Sequence, residues 1–143
     1  MRVKVLAERD TGLFAVILDK EDEVISQVTG FAQERMLTGA HFTGIGAFRR
    51  LTLGYFDPER LDYKKIPIEE QVEVLSLVGN IAIDEGKPKV HAHVVVGKSD
   101  GTARGGHILE ATVWPTLELV LEESPGYLHR RTDPETGLPL IRM

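Results

Sequence analysis

Residues 89–107 read Lys89-Val90-His91-Ala92-His93-Val94-Val95-Val96-Gly97-Lys98-Ser99-Asp100-Gly101-Thr102-Ala103-Arg104-Gly105-Gly106-His107. Successive side chains of a strand point to opposite faces. Val90, Ala92, Val94 and Val96 therefore share an aliphatic face suited to a core, and His91 and His93 project together from the other. Lys98-Ser99-Asp100-Gly101 is a hairpin turn. The chain beyond it runs back beside the first strand. With the turn centred near residues 99–100, residues 106–108 fall roughly opposite 91–93.

Working outward, the same punctuation recurs. Further strands are expected at about 104–113 and 116–122, then a tail from Glu123 rich in Pro, Gly and charge, with Leu138 to Ile141 as a last short strand. On the N-terminal side Asp84-Glu85-Gly86-Lys87-Pro88 is a turn. Val72 to Ile83 is a long strand in which Gly79-Asn80 signals a bulge or tight bend. Residues 61–66 form a short segment ending at Pro67, and Leu51 to Phe56 is a strand stopped by Asp57-Pro58. His41 to Phe48 is a strand interrupted by glycines.

Residues 21–36 read differently. Val24, Ile25, Val28, Phe31, Ala32 and Met36 recur at helical spacing opposite Gln27, Gln33 and Glu34, with Asp19 or Asp22 as the cap. Gly30 inside this helix is expected to serve close packing. The chain opens with Val3, Val5 and Ala7 alternating with polar residues. A turn at Asp10-Thr11-Gly12 and the apolar run Leu13 to Leu18 complete a hairpin. Strand, strand, helix and then many strands specify a mostly antiparallel α+β fold with one main amphipathic helix. A sheet of this kind has edges and a second apolar face to cover, and self-association covers them.

The 143 residues fit one domain, 1–143, with a core of about 3–123 and a tail of 124–143. No apolar run approaches the ~20 residues of a membrane-spanning helix. The N-terminus lacks the apolar core of a signal peptide, so the expected location is cytoplasmic. With no cysteine, disulfides, thiolate catalysis and cysteine-built zinc sites are excluded, and a transition-metal site must use histidine and carboxylate. Lys and Arg total 17 against 22 Asp and Glu, a net charge of −5, so the global field repels nucleic acid. Arg49-Arg50 and Arg130-Arg131 are the local basic candidates, and both read more simply as solvated charge pairs.

The concentrated chemistry is histidine. In a strand, His91 and His93 stand about 6.5–7 Å apart along one face, and both rings can reach one ion at ~2.0–2.1 Å. The hairpin adds His107 to the same volume, and Gly105 and Gly106 remove side chains beside it, so backbone or a ligand can approach closely. Three imidazoles with one open position suit a zinc-like ion. Glu73 and Glu110 are the catalytic candidates, each as a general base or a partner orienting a ligand, weighed against plain solvated carboxylates. Glu110 is expected on the face of its strand opposite His107. His41 and His129 have no histidine companions nearby in sequence and are left out of the site. Gly44-Ile45-Gly46 lacks the third glycine of a dinucleotide fingerprint, and no nucleophile elbow or phosphate loop occurs.

Gly44-Ile45-Gly46, Leu53-Gly54-Tyr55-Phe56-Asp57, Glu73-Val74-Leu75-Ser76-Leu77 followed by Gly79-Asn80, His91-Ala92-His93, Gly105-Gly106-His107 and Pro115-Thr116-Leu117-Glu118 occur in this order. The series resembles the plants and prokaryotes conserved (PPC) domain, the domain that accompanies AT-hooks in plant nuclear proteins, over roughly residues 3 to 123. The resemblance implies an antiparallel α+β fold like that of acetolactate decarboxylase, a homotrimer, and a metal, zinc, on His91, His93 and His107. The chain departs from plant relatives in having no Arg-Gly-Arg-Pro hook. Three functions stay open on this reading. They are a trimeric binding module with a metal site and a small-molecule ligand, a zinc-dependent lyase or hydrolase, and a DNA-binding regulator suggested by family naming but opposed by charge.

Overall fold

The computed structural model describes residues 1–8, 12–124 and 126–142. Its elements are β1 (Arg2–Glu8), β2 (Gly12–Leu18), α1 (Val24–Glu34), β3 (Gly39–Asp57), β4 (Asp62–Ile68), β5 (Val72–Asp84), β6 (Lys87–Gly97), β7 (Ala103–Glu123), β8 (His129–Thr132) and β9 (Pro139–Arg142). Strand makes up 67% of the described residues, with one helix among them, so the fold is α+β as expected. Asp10 and Thr11 of the expected first turn lie outside the described residues, but β1 and β2 do pair antiparallel. No helix among the described residues is long and apolar enough to cross a membrane.

Two very long strands organise the sheet. The segments read as separate strands at 41–48 and 51–56 are one strand, β3, of 19 residues. Those at 104–113 and 116–122 are likewise one, β7, of 21 residues. They stay continuous because bulges absorb their irregularities. The β3–β7 register shifts between Gly46 and Phe48, between Phe48 and Arg50, and between Thr52 and Leu53. Each bulge adds local twist. One side of β3 pairs with β7, and the other pairs with β5 over its first half and β4 over its second. β6 pairs with both β5 and β7, so β3, β5, β6 and β7 close a ring. Inside lies one core, with Phe42, Phe48, Leu53, Leu77, Ile81 and Leu119 among its buried members.

Three local expectations are corrected. The helix is shorter than 21–36, and its cap is Glu23, whose carboxylate accepts the Ile25 and Ser26 N–H groups at 3.2 and 2.7 Å. Asp22 is engaged instead by the Met1 ammonium at 2.9 Å and the Asp19 N–H at 2.9 Å. Met36 is exposed rather than on the buried face, because the helix ends there with φ +53°. Its N–H donates to Gln33 and that of Leu37 to Ala32, the two bonds of a Schellman ending. Gly30 has open space where a side chain would stand, so close packing does not explain it.

The β5 bulge falls between Val74 and Ser76, not at Gly79-Asn80, where pairing with β6 is regular. Gly79 is there because the Phe42 ring occupies the place of its Cβ. The tail supplies β9 as expected, and also β8, which the sequence pattern did not announce. β8 touches β5 through the parallel pair Ile83 and His129.

Candidate metal centre

β6 behaves as its alternation requires. Ala92, Val94 and Val96 are buried in the core, while His91 is half-buried and His93 exposed on the other face. The following turn sets the register. The Lys98 N–H donates to the Thr102 carbonyl at 2.9 Å, and the Asp100 carboxylate accepts both the N–H and hydroxyl of Thr102, at 2.9 and 2.7 Å. With that turn closed, His93 pairs directly with His107. His107 stands where β7 leaves β6 and joins β3, paired also with Gly54.

The three rings form a compact group. Ring centroids are 5.0 Å apart for His91 and His93, 4.9 Å for His91 and His107, and 5.5 Å for His93 and His107. One nitrogen from each lies within 4.8 Å of the others, a group that could hold a metal ion. The Nε2 atoms of His91 and His93 are 3.1 Å apart. Two nitrogens each ~2.1 Å from a tetrahedral ion stand about 3.4 Å apart, so little movement is needed. Tyr63 of β4 stacks on His107 at 4.8 Å and 26°, which holds the ring in place.

The electrostatics favour the neutral form of His91 and His107. Burial, then the neighbouring His91 and His93, push His107 down to about 4. Burial, then His93 and Arg130, also lower His91. The His107 Nδ1 is buried and has no hydrogen-bond partner. An unpartnered buried nitrogen is costly, and a neutral imidazole is the form that ligates a metal. The donor set therefore fits a nitrogen-bound divalent ion.

The close-approach glycines serve backbone rather than an open space. A Cβ on Gly105 would press on the Val94 carbonyl at 3.2 Å, and one on Gly106 on the Gly54 carbonyl at 3.0 Å. Glu110 is not on the face opposite His107. Ile108 and Ala111 are both buried, and the bulge between them turns Glu110 outward with His107. Glu110 nonetheless accepts a bond from the Thr52 hydroxyl at 2.7 Å, in a cavity with Glu21, Glu23 and Glu69. Glu73 is exposed beside Ile45 and Pro115 in another. Among the described residues, the cavities that Glu110 and Glu73 line include no histidine.

Other residues do share a cavity with a histidine. His41 lines a depression with His91 and His93, and its ring nitrogen is 3.6 Å from Glu122. A second cavity, of about 210 Å³, is lined by His91, His107, Tyr63, Lys89 and Arg130 together with Val90 of β6, Leu138, and Pro139 and Leu140 of β9. Arg130 is a correction to its reading as a solvated charge: it is 7% exposed. Its guanidinium donates to the Asn80 side chain and to the Pro139 carbonyl at 2.9 Å. Tyr63, His41 and Arg130 carry no local signal, since each reaches the histidines only through strand pairing or the returning tail.

The model of the Plants and Prokaryotes Conserved (PCC) domain matches residues 6–125. No curated protein matches the chain. Among solved structures, a plant- and prokaryote-conserved protein from Pyrococcus horikoshii is 30% identical over 92% of this chain and 91% of its own, with a TM-score of 0.86. A metal-containing protein from Archaeoglobus fulgidus is 34% identical over 100% of this chain and 99% of its own, with a TM-score of 0.84. A Bacteroides thetaiotaomicron protein described as a "putative dna binding protein" is 27% identical over 98% and 96%, with a TM-score of 0.87. With the fold, the ordered motifs and the domain model in agreement, the chain belongs to the Plants and Prokaryotes Conserved domain family.

Proposed function

We propose that this chain is a homotrimeric binding module, one domain from residue 1 to 143, that holds a divalent ion, zinc, on His91, His93 and His107. The observation that carries the metal is the convergence of three ring nitrogens within 4.8 Å, one ring having a buried, unpartnered nitrogen. The metal-containing Archaeoglobus relative supports it. When bound by three histidines, zinc keeps a further position for a ligand oxygen, which it polarises. Protein purified without chelator should contain metal in stoichiometric amount by elemental analysis. His91→Ala with His93→Ala should abolish it, and unchanged metal content in that variant would remove the site from the account.

The trimer rests on an apolar outer face. Val120, Thr43, Val78 and His93 lie in one cross-strand row, and Val78 and Val120 are 52% and 50% exposed. Ile45 and Leu75 are also exposed. Exposed aliphatics on adjoining strands mark an association surface. A net charge of −5 argues against a phosphate-neutralising role, so nucleic acid is not part of this reading. A second reading, a metal-dependent enzyme acting on a small molecule, is favoured by the 210 Å³ cavity beside His91 and His107. Metal-dependent turnover of keto acids, hydroxy acids or esters is its test.

A further inference from the structure

Arg130, 7% exposed, is the one polar or charged residue among the described residues that counts as buried. No carboxylate forms an ion pair with it among the described residues. Its two hydrogen bonds go to neutral acceptors, Asn80 and the Pro139 carbonyl, and its Nε has no partner. The acid whose field reaches it, Asp84, is held by Lys89 at 2.6 Å. A buried cation with no directly bonded counter-charge is expensive, and proteins supply one from a side chain or a ligand. Arg130 also lines the cavity that His91 and His107 line. The rest of that wall is largely aliphatic: Val90, Leu138 and Leu140.

We propose that this cavity binds a small aliphatic carboxylate, its carboxylate neutralising Arg130 and its body lying against Val90 and Leu138. Guanidinium and carboxylate match as planar, charge-assisted partners. At about 210 Å³ the cavity lies below the ~300–1,000 Å³ of sites for drug-sized molecules, which suits a small ligand. In one respect the proposal rests on the metal reading: an oxygen elsewhere on the ligand would reach the ion held beside His107. The anion site itself does not require the ion. Arg130 and Leu138 lie beyond the matched span 6–125, so this wall is built by the tail of this chain.

The test uses the full chain, zinc-loaded and chelator-treated, with isobutyrate, its neutral isostere isobutyramide, and inorganic phosphate as probes. Binding is read by NMR shifts of the Val90 and Leu138 methyl groups. Saturable binding of isobutyrate in both metal states, at least tenfold tighter than the amide or phosphate, is the expected result. Arg130→Gln should weaken it tenfold or more, and Arg130→Lys should restore part of it. Because Arg130→Gln could loosen β8, the amide comparison on the unaltered chain stands alone as a test. Equal binding of acid and amide, tighter binding of phosphate, or no isobutyrate binding would overturn the proposal. So would binding seen only with zinc and indifferent to Arg130→Gln. Isobutyrate binding in a chain that takes up no metal would sustain this site while removing the metal reading.

Discussion

His107 sits at the meeting point of β6, β7 and β3, and its chemistry follows from that position. Burial and two neighbouring imidazoles hold its pKa near 4, against about 6.5 in an unfolded chain. Between those values the unfolded state binds the extra proton, so acid favours unfolding. In chelated protein, stability should therefore fall as pH drops from 6.5 towards 4, with no contribution from His107 above 6.5. Urea denaturation of chelated protein at pH 7.5 and pH 5 measures this, and the midpoint drop should shrink in His107→Gln. An equal drop in both proteins would show that the buried ring is not the source. His91, His93 and His107 were legible in the sequence because alternation and one turn place them. Arg130 was misread because solvation was inferred from its charge, whereas β9 and Asn80 bury it.

At the scale of elements, α1 shows how one capping residue ties local to tertiary structure. The Glu23 carboxylate caps the helix and also accepts the Ala111 N–H of β7 at 3.3 Å. Glu23→Ala should cost about 1 kcal/mol, the usual range for a lost cap, or more for the added β7 bond. Asp22→Ala should leave the cap intact. Thermal melting with far-UV circular dichroism compares the two variants. Gly30 is the converse case, with open space at its Cβ. Gly30→Ala should stabilise the protein by roughly 0.5–1 kcal/mol by removing the flexibility cost of glycine in a helix. A loss of stability would mean that the position is covered in the assembled protein. The helix itself was readable from its spacing. Its cap was not, because Asp19, Asp22 and Glu23 all offer carboxylates, and the choice depends on Met1 and β7, far away in sequence.

For the whole molecule, the ring β3–β5–β6–β7 buries one face of each strand and leaves Ile45, Leu75, Val78 and Val120 outside. Under the proposed trimer, sedimentation equilibrium should give three times the 15.9 kDa chain mass. Val78→Glu should shift it towards one chain, because a carboxylate buried in an apolar interface is strongly unfavourable. A monomeric parent would end that part of the proposal and leave the metal test untouched. Loss of the trimer with metal retained would show that each chain holds its own ion.

By itself the sequence determined the class of fold, the β6–β7 hairpin and the identity of the three histidines. Those rest on periodicity and turn chemistry, which act over a few residues. Only the tertiary structure decided that separate segments merge into β3 and β7, since bulges are stabilised by partner strands. It also decided that Glu73 and Glu110 stay outside the histidine cavities, and that Tyr63 and Arg130 enter one. These placements depend on pairings between distant parts of the chain, such as Ile83 with His129, which leave no local pattern to read.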